Sequence, residues 1–283
     1  MQKIAIITDS DSSLSNEILK KYDIRQVSIH IHFGDETFES GIDIDDKTLF
    51  ERVDREKKLP TTAAPAPGKF QQAFQKAFAD GYEEILCFCV SSKISATYAA
   101  AEQAKALMES DKITVVDTLT VSLGQGFIVL EAAELAQAGK SAQEILEAAQ
   151  KVQDNMHLFA AVATLKYLAM GGRISHLQAG MGSLMEVKPI LTMQDGKLEV
   201  LERIRTRKKS LARLLELVTQ SVGDANIRRI GLIQSNCPEE AAVFQQKVME
   251  HFPNAGEVPI VEFTPGLSVH SGAGLLGLAV YTD

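Results

Sequence analysis

Residues 85–108 read ILCFCVSSKISATYAAAEQAKALM, and they carry the clearest fold signal in the chain. Six apolar residues (85–90) precede a serine-rich loop, which leads into an alanine-rich segment (97–108). The short apolar run predicts a buried strand, and the segment after the loop predicts a helix. A strand, a loop and a helix in this order are typical of a parallel α/β sheet.

The same order recurs on both sides of this stretch. Residues 4–7 predict a strand that is followed by an amphipathic helix at residues 14–21, and residues 113–116 predict a strand before a helix at residues 126–137. Strands separated by helices of this length imply a parallel sheet. We therefore predict an N-terminal parallel-sheet α/β domain over residues 1–158.

Local signals add detail to this domain. The alternating residues 27–33, followed by Gly34 and Asp35, predict a β-hairpin, and a solvent-facing strand explains His30 and His32 without a metal. Helix starts are predicted at the N-cap Asp45, at Pro67 and at the capping box of Ser141 and Glu144.

The second half of the chain has a different pattern. Residues 158–170 predict a helix, and residues 187–193 and 197–204 predict a hairpin around Asp195 and Gly196. Later elements are predicted as helices at 208–222 and 239–251 and strands at 230–234, near 261 and at 278–281. We predict a C-terminal α+β domain over residues 159–283.

Length and charge limit the classes of function. The chain has 283 residues, which at roughly 150 residues per domain predicts two domains, and its formal net charge is −8. This negative charge argues against broad binding to nucleic acid. One local basic run is present, with the members Arg203, Arg205, Arg207, Lys208 and Lys209. It is either the solvated end of a strand and start of a helix, or a surface for docking or for contact with a phosphate.

The cysteines and the apolar runs predict the compartment. Cys87, Cys89 and Cys237 are odd in number and lack a His or Cys cluster at zinc spacing, which predicts free thiols and no metal site. The N-terminus lacks a signal-peptide pattern, and no apolar run approaches the ~18 residues of a spanning helix. We expect a cytoplasmic protein.

An Asp-dependent phosphatase is one enzymatic alternative. Asp9, Ser10 and Asp11 follow an apolar strand and resemble the Asp-x-Asp motif with which haloacid dehalogenase-type phosphatases attack phosphate and hold magnesium. That chemistry needs further carboxylates and a lysine, which the later strand ends do not supply. A loop acid and a helix N-terminal acid explain Asp9 and Asp11 more simply.

A series of short motifs runs along nearly the whole chain in a fixed order. They are IITDS at 6–10, TAAP at 62–65, SSKISATY at 91–98, VDT at 116–118, SLG at 122–124, GGRI at 171–174, KPIL at 188–191, DG at 195–196, RT at 205–206 and HSGAG at 270–274. In this order they resemble the DegV family, whose fatty acid-binding members include the FakB subunits of bacterial fatty acid kinase.

The resemblance implies a lipid tunnel between the two domains, with a long-chain fatty acid as ligand and no cofactor. The carboxyl group of the ligand would be held by Thr62, Ser95 and His270, with Ser92 as a neighbouring candidate. The implied function is a carrier, and not an enzyme with catalytic residues of its own. It would present the fatty acid carboxyl group to a separate ATP-dependent kinase subunit, and the acyl phosphate would feed phospholipid synthesis.

Further expectations follow from the same resemblance. Arg173 and Arg205 match arginines of the family and are predicted to contact the kinase or the phosphate, and transient contact with a membrane surface is also expected. The chain departs from the family pattern at Ala63, Ala64, Ala96 and Ala273. A lipid sensor or storage protein without a kinase partner remains an alternative, as does the phosphatase.

Overall fold

The structure, a computed structural model, describes residues 3–174 and 187–283. Its strands are β1 (Ile4–Asp9), β2 (Arg25–Val27), β3 (His30–Phe33), β4 (Glu36–Glu39), β5 (Thr61–Ala63), β6 (Glu84–Cys89), β7 (Ile113–Asp117), β8 (Met156–Ala161), β9 (Lys188–Gln194), β10 (Lys197–Ile204), β11 (Ile227–Ser235), β12 (Ile260–Glu262) and β13 (Leu275–Thr282). Its helices are α1 (Asn16–Lys21), α2 (Asp46–Glu56), α3 (Pro67–Ala79), α4 (Thr97–Met108), α5 (Leu123–Gln137), α6 (Ala142–Asp154), α7 (Lys166–Met170), α8 (Arg207–Val222), α9 (Pro238–His251) and α10 (Pro265–Ser271).

The apolar strand β6 lies at the centre of a parallel sheet. It pairs with β1 on one side and with β7 on the other, and β2 extends the sheet beyond β1. Residues 85–90 are fully buried because helices cover both faces. Phe70 and Phe74 of α3 pack on one face, and Ile128 of α5 packs on the other. This sheet is the parallel α/β arrangement that the sequence predicts.

Residues 27–33, predicted as one strand of a hairpin, form two strands in different sheets. β2 pairs with β1, whereas β3 lies between β4 and β5 in a separate antiparallel sheet. The Ile29 amide between them donates a hydrogen bond to Ser10 Oγ at 3.0 Å. The apolar alternation continues through this bend, so the pattern alone does not reveal it. The predicted turn at Gly34 and Asp35 is confirmed.

Residues 158–170, predicted as one helix, form most of strand β8 and the short helix α7. β8 pairs antiparallel with β13 and β9. Leu158 packs into the core on the side of α5, and Phe159 packs into the core that contains residues of α8 and α9. Both faces of the strand are therefore buried, and its residues are apolar without the period-2 alternation that identifies a half-exposed strand.

The second sheet has the strand order β10-β9-β8-β13-β11-β12 and is antiparallel except for the last pair. The predicted β9–β10 hairpin and the later α+β pattern are confirmed. Helix α5 contacts β1 and β6 of the first sheet and β8, β11 and β13 of the second. It is apolar on nearly all sides because it lies between the sheets. The domain boundary at residue 158 falls inside β8 and stays a prediction.

The predicted helix starts are confirmed. Asp45 accepts a hydrogen bond from the Thr48 amide, and the reciprocal capping box of Ser141 and Glu144 begins α6. Pro67 is the first residue of α3. Within residues 3–174 and 187–283, no helix combines the length and the apolar character that a membrane crossing needs.

Candidate ligand-binding cavity

A cavity of about 250 Å³ lies where the carboxyl ends of the parallel strands meet one face of the antiparallel sheet. Loops after β1, β6 and β7 border one side, which is the usual ligand position in an open α/β sheet. Most of the wall is apolar, and the opposite side is formed by alternating side chains of the second sheet, including Leu158, Ala160, Leu191, Met193, Ile233 and Leu275.

Thr62 and His270 meet at the wall of this cavity. Thr62 lies in β5 and His270 lies in the last turn of α10, and Thr62 Oγ1 is 2.7 Å from His270 Nε2. Burial, assisted by the positive charge of Arg173, lowers the pKa of His270 to about 4. The imidazole is therefore neutral at pH 7. In either tautomer the pair keeps one free donor, either the Thr62 hydroxyl or His270 Nδ1–H.

His270 reaches the cavity on a helix that the sequence interpretation missed. No element is predicted between the strands near residues 261 and 278, but Pro265 begins the seven-residue helix α10. The signal was present, because Thr264 before Pro265 fits the start of a helix. The Nδ1 atom of His270 is buried and has no hydrogen-bond partner in the described part of the chain.

Ser95 borders the cavity, whereas Ser92 is not among its lining residues. Ser95 Oγ lies 2.9 Å from Thr97 Oγ1, at the start of α4. The Ser92 amide donates to Asp117 Oδ1 at 3.1 Å, which ties the loop to the end of β7. Ser91, which the sequence analysis did not single out, is buried and donates to the carbonyl oxygen of Gly196 at 2.6 Å.

The two predicted arginines lie in different places. Arg173 lines the cavity, and its Nη1 donates to the carbonyl oxygen of Gly171 at 2.5 Å. Arg205 is exposed between β10 and α8 and does not line the cavity. A second, polar pocket of about 470 Å³ also includes Arg173 and is bordered by Lys93 and Lys197.

Asp9 and Asp11 are both buried, but their carboxyl groups have different surroundings. Asp9 Oδ1 accepts from the Asp11 amide at 2.9 Å, and Asp9 Oδ2 accepts from the Val90 amide at 2.8 Å. Burial raises the pKa of Asp9 to about 6. Asp11 lines the cavity, and its Oδ1 is buried without a partner among the described residues. The sequence interpretation of Asp11, as a helix N-terminal acid or as part of a phosphatase motif, did not place it at a ligand cavity.

Known proteins are similar to this chain over its whole length. The model of the family described as "Uncharacterised protein, DegV family" matches residues 3–283. A DegV domain-containing protein from Listeria innocua is 35% identical over 284 residues, which cover 100% of both chains.

Two solved structures are similar to this chain over 100% of both chains. One is a DegV family protein with fatty acid binding from Thermus thermophilus, at 29% identity and a TM-score of 0.93. The other is DegV, a fatty acid binding protein from Bacillus subtilis, at 30% identity and a TM-score of 0.89. From the whole-chain match and the shared architecture, we conclude that this chain belongs to the DegV family.

Proposed function

We propose that this protein is a carrier that buries the acyl chain of a long-chain fatty acid in the cavity and holds its carboxyl group at Thr62, Ser95 and His270. The observation that carries the proposal is the cavity itself, in which donors from three distant chain segments border one apolar space. The fatty acid binding of the similar Thermus and Bacillus proteins supports it.

The cavity suits the two ends of such a ligand. Each buried methylene group of an acyl chain contributes about 0.8 kcal/mol, so the tail can supply most of the affinity. A carboxylate in an apolar space needs hydrogen-bond donors, because an unpaired buried charge is costly. The Thr62–His270 pair and the Ser95 hydroxyl offer donors, and Arg173 adds a positive charge. Ser92 is not part of the proposed contact, since it does not line the cavity.

The second step of the proposal is presentation of the carboxyl group to a separate ATP-dependent kinase. The sequence has no P-loop pattern, which agrees with phosphoryl transfer by another chain. Arg173 borders both the cavity and the polar pocket, so it is suited to contact a phosphate formed on the ligand. Exposed Arg205, within the basic run, is suited to contact an acidic kinase surface. A role in phospholipid synthesis and transient contact with a membrane surface belong to this proposal.

A cytoplasmic location is also part of the proposal. Cys87 and Cys89 are free thiols whose sulfur atoms lie 3.8 Å apart, and Cys237 is free as well. Thiols that remain unpaired at this distance suit a reducing compartment.

The phosphatase alternative has weaker support. Both carboxyl oxygens of Asp9, the residue in the position of the nucleophile, are occupied by backbone amides. A lipid sensor or storage protein would use the same cavity, so it differs from the carrier only in the partner.

The proposal can be tested by extracting the purified protein with organic solvent and identifying bound lipid by mass spectrometry. We expect a long-chain fatty acid, and labelled fatty acid should bind again after delipidation. A protein without lipid that also fails to bind labelled fatty acid would refute the carrier. Addition of the kinase encoded in the same genome, with ATP, should convert the bound ligand to acyl phosphate. Binding without conversion would favour the sensor or storage function.

A further inference from the structure

The carboxyl group of Asp11 is a polar group of the cavity that the proposed function has not used. The residue is only 5% exposed, and its side chain borders the cavity. Its Oδ1 is buried and has no hydrogen-bond partner among the described residues, and the neighbouring Thr264 side chain acts on the carboxyl group as a hydrogen-bond donor. A buried polar group without a partner costs free energy, which suggests that a partner arrives with a ligand.

Asp11 lies close to the predicted position of the ligand head group. A Cβ atom added to Gly266 would lie 3.3 Å from Asp11 Oδ1, so the carboxyl group rests beside this glycine. Gly266 and His270 are four residues apart in α10 and therefore lie on one face of the helix, about one turn from each other. The carboxyl group of Asp11 thus reaches the cavity about one helical turn from the imidazole.

The charged and titratable neighbours of Asp11 come from three segments. Asp9 precedes it at the end of β1 and Arg173 follows α7, and both act on its carboxyl group. His270 lies on α10, about one helical turn from Gly266. Burial and the charge of Asp9 raise the pKa of Asp11 well above its usual range, and the Thr264 hydroxyl and the charge of Arg173 act in the opposite direction. Both oxygens of Asp9 accept hydrogen bonds from backbone amides, which favour its charged form, whereas the carboxyl group of Asp11 has the Thr264 side chain as its hydrogen-bonding neighbour and an Oδ1 without a partner among the described residues. Asp11 is therefore the member of the pair that retains a proton.

We propose that Asp11 is a further contact of the ligand head group, and that its carboxylic acid donates a hydrogen bond to the carboxylate of the bound fatty acid. This inference rests on the fatty acid binding proposed above. A neutral Asp11 adds a donor without adding charge, whereas an ionised Asp11 would remove the donor and repel the ligand.

This arrangement links binding to one proton. The fatty acid carboxylate binds best to the form of the protein in which Asp11 is protonated, so the bound complex holds that proton more tightly than the free protein does. Affinity is highest below the pKa of Asp11 in the free protein. It falls as the pH rises through that value, by up to about tenfold per pH unit.

The test measures the dissociation constant of radiolabelled palmitic acid from about pH 5 to about pH 10 with delipidated protein. For the wild-type protein we expect the affinity to fall steadily at the alkaline end. Asp11→Asn keeps a donor without a titrating group, so its affinity should vary by less than about threefold over the range. Asp11→Leu should also give a flat profile, with weaker binding at acidic pH. Asp43→Asn, at an exposed carboxyl group, serves as the control and should follow the wild type.

Two outcomes separate this inference from the function on which it rests. If the wild type binds palmitic acid and Asp11→Asn shows the same pH profile, the role of Asp11 is wrong and the carrier function stands. If the wild type binds no palmitic acid at any pH, both fail. Hexadecanol, which has the tail without the carboxylate, should bind the wild type with little dependence on pH. Thermal melts of both variants establish that they are folded.

Discussion

Thr62 Oγ1 lies 2.7 Å from His270 Nε2, although 208 residues separate them in the sequence. The hydrogen bond joins the three-stranded sheet of the first half of the chain to helix α10 of the second half. Both residues line the same cavity, so the contact sits where the two halves enclose the proposed ligand.

Removal of either partner of this bond should weaken fatty acid binding. Thr62→Val keeps the size and removes the hydroxyl, and His270→Phe removes the ring nitrogens. We expect each to lower the affinity by roughly 1.5–3 kcal/mol, or about 10- to 150-fold, as is typical for a hydrogen bond to a charged group. Titration of delipidated protein with labelled fatty acid measures the change. Ser92→Ala is the matched control, because Ser92 does not line the cavity, and equal losses in all three variants would contradict the assignment.

Gly171 should be intolerant of a side chain because of His270. A Cβ atom at Gly171 would overlap with His270 Nδ1, so Gly171→Ala must displace the imidazole or the backbone after α7. We expect weaker fatty acid binding and a loss of roughly 1–3 kcal/mol in the free energy of unfolding. Urea denaturation and ligand titration test both effects. Gly68→Ala is the control, since nothing lies within 4 Å of the added Cβ and helix α3 should be unchanged or stabilised.

Asp46 should make the protein less stable as the pH rises. Burial raises its pKa to about 7, and its Oδ2 accepts hydrogen bonds from Ser268 at 2.8 Å and Ser235 at 3.3 Å. The folded state therefore binds the proton more tightly than the unfolded state. This tighter proton binding adds to the free energy of unfolding. The contribution is fully present below the usual Asp pKa of 3.8 and is lost as the pH rises to about 7.

Asp46→Asn should flatten this dependence, because the amide oxygen can still accept from both serines. Between pH 5 and pH 8 the wild type should lose on the order of 2 kcal/mol of unfolding free energy that the variant keeps. Urea denaturation at both values provides the measurement. Asp54→Asn, at an exposed position of α2, should show no such gain, and a similar change in both variants would contradict the role of Asp46.

Ser91 should stabilise the contact between the two sheets. Its hydroxyl donates to the carbonyl oxygen of Gly196, in the turn between β9 and β10, at 2.6 Å. We expect Ser91→Ala to cost roughly 1–3 kcal/mol, since the buried acceptor is left without its donor. Hydrogen exchange should show faster opening of the β9–β10 turn. Ser110→Ala, in the loop before β7, is the control and should leave this turn unchanged.

Arg205 should affect the kinase step without affecting fatty acid binding. The residue is exposed and does not line the cavity, so Arg205→Glu should leave the affinity for fatty acid within about twofold of the wild type. We expect kinase-dependent formation of acyl phosphate to fall by at least about tenfold, because close like charges at an interface cost several kcal/mol. Lys151→Glu reverses an exposed charge on α6 and controls for the change in net charge. Undiminished phosphorylation by Arg205→Glu would remove Arg205 from the proposed contact.

The sequence by itself determined those strands and helix ends that depend only on residues close together in the chain. The apolar run at residues 85–90 identified the central strand, and the hydroxyl and carboxyl groups of Ser141 and Glu144 identified the start of α6. These signals suffice because a buried strand and a capping box are each defined by neighbouring residues. The ordered motifs also placed Thr62, Ser95 and His270 in one predicted site.

Only the tertiary structure decided which elements share a face and which polar groups have partners. Residues 158–161 form a strand because they pair with β9 and β13. Both faces of this strand are buried, so its sequence lacks the alternation of apolar and polar residues that identifies a half-exposed strand. The different hydrogen bonding of Asp9 and Asp11 depends on the amide of Val90, about 80 positions away along the chain, and on the position of Asp11 Oδ1 beside Gly266. Hydrogen bonding and desolvation depend on distance in space, which spacing along the chain does not specify.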